Sequence, residues 1–202
     1  MATRSADWES IYRAAELAPW EVGRPQAPVV RLAEAGLLSS GRVLDAGCGT
    51  GDHTLLAALQ GADATGVDCS ATAVGRARRK AEERGVSVRF EVGDVLDLAR
   101  LGTSFDTVVD VGMFHVLDDE ERRRYVESLA SVTEPGGTCY LMCFSDRQAG
   151  ALGPRRVRQE ELVEAFAEGW TVADIAGTTF AIAPRFGGEA HAWLATIHRA
   201  AS

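Results

Sequence analysis

From Arg42 onward, short apolar runs alternate with longer stretches whose apolar residues recur every three or four positions. The short runs, such as Val43-Leu44, Ala64-Thr65-Gly66-Val67 and Thr107-Val108-Val109, suit strands buried on both faces, and the longer stretches suit amphipathic helices. Ser70 can cap a helix over 71–84 that Gly85 ends, and Asp118 with Glu121 three residues on opens another in capping-box position. A shorter helix is predicted over 160–167, and Pro135-Gly136-Gly137 introduces a fifth strand. Upstream, Asp7 can cap a first helix to about Leu17 that sets Trp8 and Tyr12 one turn apart. Pro25 suits the first turn of a second helix ending near Gly36. Strand–helix alternation predicts a parallel sheet covered on both faces, and residues 170–176 and 192–198 predict an antiparallel hairpin at its edge.

Composition narrows the partners. The length of 202 residues suits one domain, and the formal charge of −8 opposes nonspecific attraction to nucleic acid. Arg147, Arg155, Arg156 and Arg158 cluster without interleaved aromatics, which predicts a solvated loop. Cys48, Cys69, Cys139 and Cys143 form no C-x-x-C pair; Cys139 and Cys143 share a strand face, and all four are expected as free thiols. With no apolar leader and no run of membrane-spanning length, a cytoplasmic protein without a membrane partner is expected. No histidine–carboxylate cluster has ligand spacing, so no metal is expected.

The chemistry concentrates at Asp45-Ala46-Gly47-Cys48-Gly49-Thr50-Gly51, where a strand runs into three alternate glycines. The dinucleotide fingerprint is G-x-G-x-x-G, and its third glycine would fall at Asp52. Asp45 adds negative charge that repels a diphosphate and attracts an ammonium group. Asp68 ends the next strand 21 residues after Gly47, the distance at which a carboxylate holds a ribose diol, and Gly93-Asp94-Val95 follows the third strand. With these features the chain resembles the class I S-adenosylmethionine (SAM)-dependent methyltransferases. The resemblance implies SAM as cofactor, S-adenosyl-L-homocysteine as product, and an α/β Rossmann-like seven-stranded sheet of order 3-2-1-4-5-7-6 with the last strand antiparallel. It also implies that Asp94 meets the adenine amino group.

Trp8-x-x-x-Tyr12 with Pro19-Trp20-x-x-Gly23-x-Pro25 is similar to the thiopurine and thiol methyltransferase group and to bacterial enzymes that methylate small heterocyclic toxins. In that group such aromatics cover SAM, a placement that cation–π attraction to a sulfonium favours. The expected organisation is a helical lid over 1–40 on a core of 41–202. The implied cofactor set is Trp8, Tyr12, Trp20, Asp45, Gly47, Cys48, Gly49, Gly51, Asp68, Cys69, Asp94, Val95 and Asp110. His115, just after the fourth strand, is the candidate catalytic residue: it could accept an acceptor's proton or merely line the pocket. Segments 144–157 and 178–189 are expected on the substrate side.

Asp110-Val111-Gly112-Met113 lacks the double proline of DNA amino-methylating enzymes, and no cysteine follows a proline, so a nucleic-acid substrate is not expected. The expected activity is methyl transfer by in-line displacement to O, S or N of a small aromatic or heterocyclic acceptor, by a monomer or weak homodimer. The alternative is a SAM-binding regulatory or partner subunit without turnover.

Overall fold

The computed structural model describes residues 5–14, 18–150 and 153–201. Seven strands form one sheet: β1 (Arg42–Ala46), β2 (Asp63–Asp68), β3 (Arg89–Val92), β4 (Phe105–Val111), β5 (Thr133–Phe144), β6 (Trp170–Ala181) and β7 (Glu189–Arg199). Among the described residues six α-helices accompany them: α1 (Ser5–Arg13), α2 (Ala27–Glu34), α3 (Asp52–Leu59), α4 (Ala71–Arg84), α5 (Asp119–Val132) and α6 (Gln159–Ala165). The strand order is 3-2-1-4-5-7-6, with β7 antiparallel to both neighbours and the rest parallel, as expected. The chain leaves β1 in opposite directions along the sheet toward β2 and β4, so a crevice opens at their carboxyl ends.

Neighbouring side chains of one strand face opposite layers. Val43 packs with Val29 and Leu32 of α2, whereas Leu44 packs with Tyr125 and Leu129 of α5. The same split puts Tyr140 on the α2 side and Leu141 on the α5 side, and Cys139 and Cys143 both face the α5 layer as free thiols. The caps at Ser70, Gly85 and Asp118–Glu121 form as predicted. Among the described residues no helix is long and apolar enough to cross a membrane.

Several expectations are corrected. Helix α1 starts at Ser5, which puts Asp7 in its first turn instead of at the cap, where its charge still favours the helix dipole; Leu17 lies outside the described residues. Pro28, not Pro25, occupies the first turn of α2, and Gln26 is the N-cap. Helix α2 buries Val29, Leu32 and Ala33 in one cluster with Val43 of β1 and Ala64 of β2.

Pro135-Gly136-Gly137 lies inside β5: Phe105 pairs with Thr133 and Thr107 with Thr138, so the intervening residues bulge out where proline has no N–H to give. The hairpin is longer than predicted, since Gly177, Thr178 and Thr179 pair with Trp193, Ala192 and His191; an edge strand with one wet face shows little apolar alternation. The connecting loop shrinks to 182–188. The arginine cluster is not a freely solvated loop. Arg155 bridges Asp119 and Glu161, Arg147 stacks on Trp193, and Arg156 stacks on Phe144 while binding the carbonyls of Gln148, Gly150 and Pro154.

Candidate active site

The glycine turn joins β1 to α3 through three left-handed residues, with φ of +78° at Gly47, +52° at Gly49 and +83° at Gly51. L-residues with a Cβ rarely adopt that conformation, which is why glycine stands at each of these positions. The turn is tied to the end of β2. The N–H groups of Gly47 and Cys48 donate to Val67 O at 2.8 and 2.9 Å. Asp68 completes the tie: Oδ2 accepts from Gly49 N at 2.9 Å and Oδ1 from Ser70 N at 2.8 Å, so one carboxylate fixes both the turn and the start of α4. Burial pushes its pKa up against these bonds.

Asp45 lies behind the turn, almost fully buried, and accepts from Thr54 Oγ1 at 2.6 Å. Burial raises its pKa to about 7, opposed by the bonds from Thr54 and assisted by Asp68 and Asp52. Asp94 stands exposed at the mouth of the β2–β3 side; Oδ1 caps Leu96 N at 2.9 Å, and the buried Val95 follows it. Cys48 is buried in the turn and Cys69 is half-buried beside Asp68.

Asp110 is placed differently from the rest of the expected set. It has no exposed surface, and its carboxylate accepts from Met113 N (2.7 Å), Phe114 N (3.1 Å) and Tyr125 Oη (3.1 Å). It therefore shapes the turn after β4 from behind, and burial lifts its pKa to about 7.

The N-terminal aromatics converge over the turn. Trp20 meets Trp8 edge-on at 5.5 Å and Tyr12 at 6.4 Å, and its Nε1 donates to Tyr12 Oη at 3.0 Å. A Cβ added at Gly49 would lie 2.7 Å from Tyr12 Oη, and one at Gly47 would lie 2.9 Å from Met113 Sδ. The turn is thus a cradle passed closely from above, open only because it lacks side chains.

Residues without a sequence signal hold this cover down. Glu9 accepts from Ser70 Oγ (2.6 Å), Thr72 N (3.1 Å) and Thr72 Oγ1 (2.7 Å), and these bonds, Ser70's foremost, lower its pKa to about 2. Glu21 accepts from Thr50 Oγ1 at 2.7 Å. The buried Gln26 clasps Ala181 of β6 through both ends of its amide, at 2.7 and 3.0 Å, and its own N–H donates to His53 Nε2 at 3.0 Å. Pro19 O accepts from Ala183 N at 2.7 Å, which joins the cover to the β6–β7 tip.

Beyond Met113 lies an apolar wall from Phe144 of β5 and Phe180 of β6, 5.4 Å apart and edge-on, against which Trp20 packs. His115 completes it, 4.9 Å from Phe144 and 6.0 Å from Phe180. The ring is buried, and Nδ1 accepts from Phe144 N at 2.9 Å. Burial first, then Arg122 and Arg156, lower its pKa to about 3. Of the other histidines, His53 and His198 serve structural bonds, the latter with Thr138. Among the described residues no group of three or more potential metal ligands occurs.

A methyltransferase-domain family model matches residues 43–137. The chain is 35% identical over 178 residues to the 2-heptyl-1-hydroxyquinolin-4(1H)-one methyltransferase of Mycobacteroides abscessus, covering 83% of this chain and 78% of that protein. A solved structure described as "Conversion of a Disulfide Bond into a Thioacetal Group during Echinomycin Biosynthesis" superposes with a TM-score of 0.88 at 33% identity, covering 98% of this chain and 93% of the other. The magnesium protoporphyrin IX methyltransferase of Synechocystis PCC 6803 with bound SAM superposes at a TM-score of 0.65 and 25% identity, over 85% and 76% of the two chains.

Proposed function

The chain belongs to the SAM-dependent methyltransferase family, and from that premise we propose that it methylates O, S or N of a small aromatic or heterocyclic acceptor. It is an enzyme whose cofactor is SAM, and the glycine cradle, free of side chains, fits such a ligand. In this reading Gly47, Gly49 and Gly51 let backbone approach the methionine portion, with Cys48 and Asp45 beneath. Asp68 and Cys69 take the ribose side, Asp94 and Val95 take the adenine, and Trp8, Tyr12 and Trp20 cover the methyl donor from a lid that ends at Gln26.

The observation that carries the acceptor class is the wall of Phe144, Phe180 and His115 under Trp20, next to the cradle: it suits a flat apolar body. The hydroxyquinolone in one relative's name and the disulfide-to-thioacetal conversion in another's support oxygen and sulfur as acceptor atoms. Free thiols support work in a reducing cytoplasm.

Bound SAM supplies an electrophilic methyl on a sulfonium. The protein's contribution is to hold the acceptor lone pair in line behind it and to exclude water. Screening hydroxyquinolones, aryl thiols and phenols for methylated product tests this reading; binding of SAM without product from any of them would overturn it.

The lid gives a sharper expectation. Trp20→Ala removes the piece that bonds Tyr12 and packs on the acceptor wall. Turnover should fall roughly ten- to a hundredfold, since misplacement acts on the transition state, while SAM affinity changes far less. Steady-state rates alongside calorimetric titration check this. Equal loss in both, or in neither, removes the lid assignment.

A further inference from the structure

Resting on the small-molecule reading above, we propose that His115 is a hydrogen-bond donor that selects acceptors arriving already ionised, acidic hydroxyls and thiols. It would not act as a base that ionises weakly acidic ones.

Geometry fixes the ring's polarity. A backbone N–H can only donate, so the 2.9 Å bond from Phe144 N requires a bare Nδ1. A neutral imidazole then carries its proton on Nε2, which has no lone pair to receive another. Nε2 faces Gly112, where a Cβ would lie 3.2 Å from it and 3.3 Å from Phe180 Cζ, and glycine keeps that corner open. Among the described residues no hydrogen bond involves Nε2, which leaves its N–H available on the side of Gly112 and Phe180.

The charges around the ring agree. Arg122 of α5 lies over Phe114 and is paired with Glu161 of α6 at 3.5 Å, and Arg156 lies over Phe144. Both oppose a proton on His115, and with burial they hold its pKa near 3. The carboxylate near this turn, Asp110, is spent on Met113 N, Phe114 N and Tyr125 behind it. Phe144 of β5 and Phe180 of β6 bring two rings and the Phe144 N–H to it, and no charge. The Arg156 guanidinium over Phe144, with a donor N–H on His115 and no carboxylate aimed at the ring, favours an anion over a neutral acceptor.

The step then balances without a proton acceptor. The anion's lone pair forms the bond to the methyl carbon as the C–S bonding pair returns to sulfur. Negative acceptor and positive sulfonium leave as a neutral product and a neutral thioether.

The test uses the full-length enzyme with 1-hydroxyquinolin-4-ones whose ring substituents spread the hydroxyl pKa. In the parent, kcat/KM should rise with pH to a plateau at each acceptor's own pKa, and that limb should move along the series. His115→Phe, which keeps a ring but has no donor, should raise the acceptor KM about tenfold or more with kcat changed far less. His115→Gln, which can return an N–H near the Nε2 position, should recover most of that. A limb fixed at one pH for all acceptors, or kcat falling about a hundredfold in both variants, makes His115 a base and overturns the proposal. An unaltered KM in a folded His115→Phe enzyme overturns it too. The parent profile needs no variant, so a misfolded substitution leaves the test standing. SAM bound with no acceptor methylated at all would instead remove the small-molecule reading, and this inference with it.

Discussion

Gly49→Val is expected to weaken SAM binding by roughly a hundredfold or more in a protein that still folds. Two independent penalties meet at this residue. Its φ of +52° is strained for a branched side chain, by about 1–3 kcal/mol. The new Cβ would also lie 2.7 Å from Tyr12 Oη and 3.5 Å from Glu21 Oε1, so the lid must lift to admit it. Lifting it disturbs the Tyr12–Trp20 and Glu21–Thr50 bonds that hold the cover, while the valine itself projects into the cradle.

Gly85→Val separates strain from the site. Gly85 has a φ of +63° with nothing within 4 Å of an added Cβ, so the variant should lose some stability and bind SAM normally. Calorimetric titration of both, with thermal melts, is the measurement. Normal SAM affinity in Gly49→Val would mean that the turn shapes the chain and does not carry the ligand.

What could be read beforehand was chemistry at short, fixed offsets. The alternate glycines, Asp68 at the end of β2, the Ser70 cap and the Asp118–Glu121 box each depend on neighbours a few residues away, or on one strand spacing, and each formed where expected. The aromatic pair Trp8 and Tyr12 followed from helical spacing, and its meeting with Trp20 needed one loop more. Illegible were contacts whose partners are distant. Gln26 and Ala181 are separated by 155 positions, and neither a lone glutamine nor an edge-strand carbonyl announces the other. Nothing near Glu9 in the chain marks it; α4 brings Ser70 and Thr72 to its carboxylate from more than 60 positions away.

Phe144 and Phe180 fall within the segments expected on the substrate side, but that their two rings meet edge-on depends on β7 and β6 lying in order beyond β5, which spacing along the chain does not announce. Asp110 shows a second kind of distant partner. An acid at the end of a strand beside a site resembles a ligand group, but here it holds three donors of the following turn and of α5. The arginines of 147–158 depart from the expected solvated loop for a similar reason, since their partners Asp119, Glu161, Trp193 and Phe144 come from other elements. His115 was found by position, yet its polarity was set by a backbone N–H 29 residues away.

Asp68→Ala should weaken SAM binding roughly ten- to a hundredfold and also lower the melting temperature, and the two effects have separable origins. A charge-assisted hydrogen bond to a ribose hydroxyl is worth about 1.5–3 kcal/mol, which converts to that range of affinity. The stability loss comes from the protein's own donors. Without the carboxylate, Gly49 N–H and Ser70 N–H lose their acceptors in a buried setting, at about 1–3 kcal/mol for each one left unpaired. Asp68→Asn divides the two contributions. Its amide oxygen can keep one of the N–H bonds, while its NH2 must face the other and gives a ribose hydroxyl a weaker, uncharged partner. Asparagine should therefore recover part of the melting temperature and little of the affinity. Titration of SAM and thermal melts on the parent and both variants decide the matter. An alanine enzyme that melts lower but binds SAM as the parent does would leave Asp68 as the clamp of the glycine turn and remove it from the ribose.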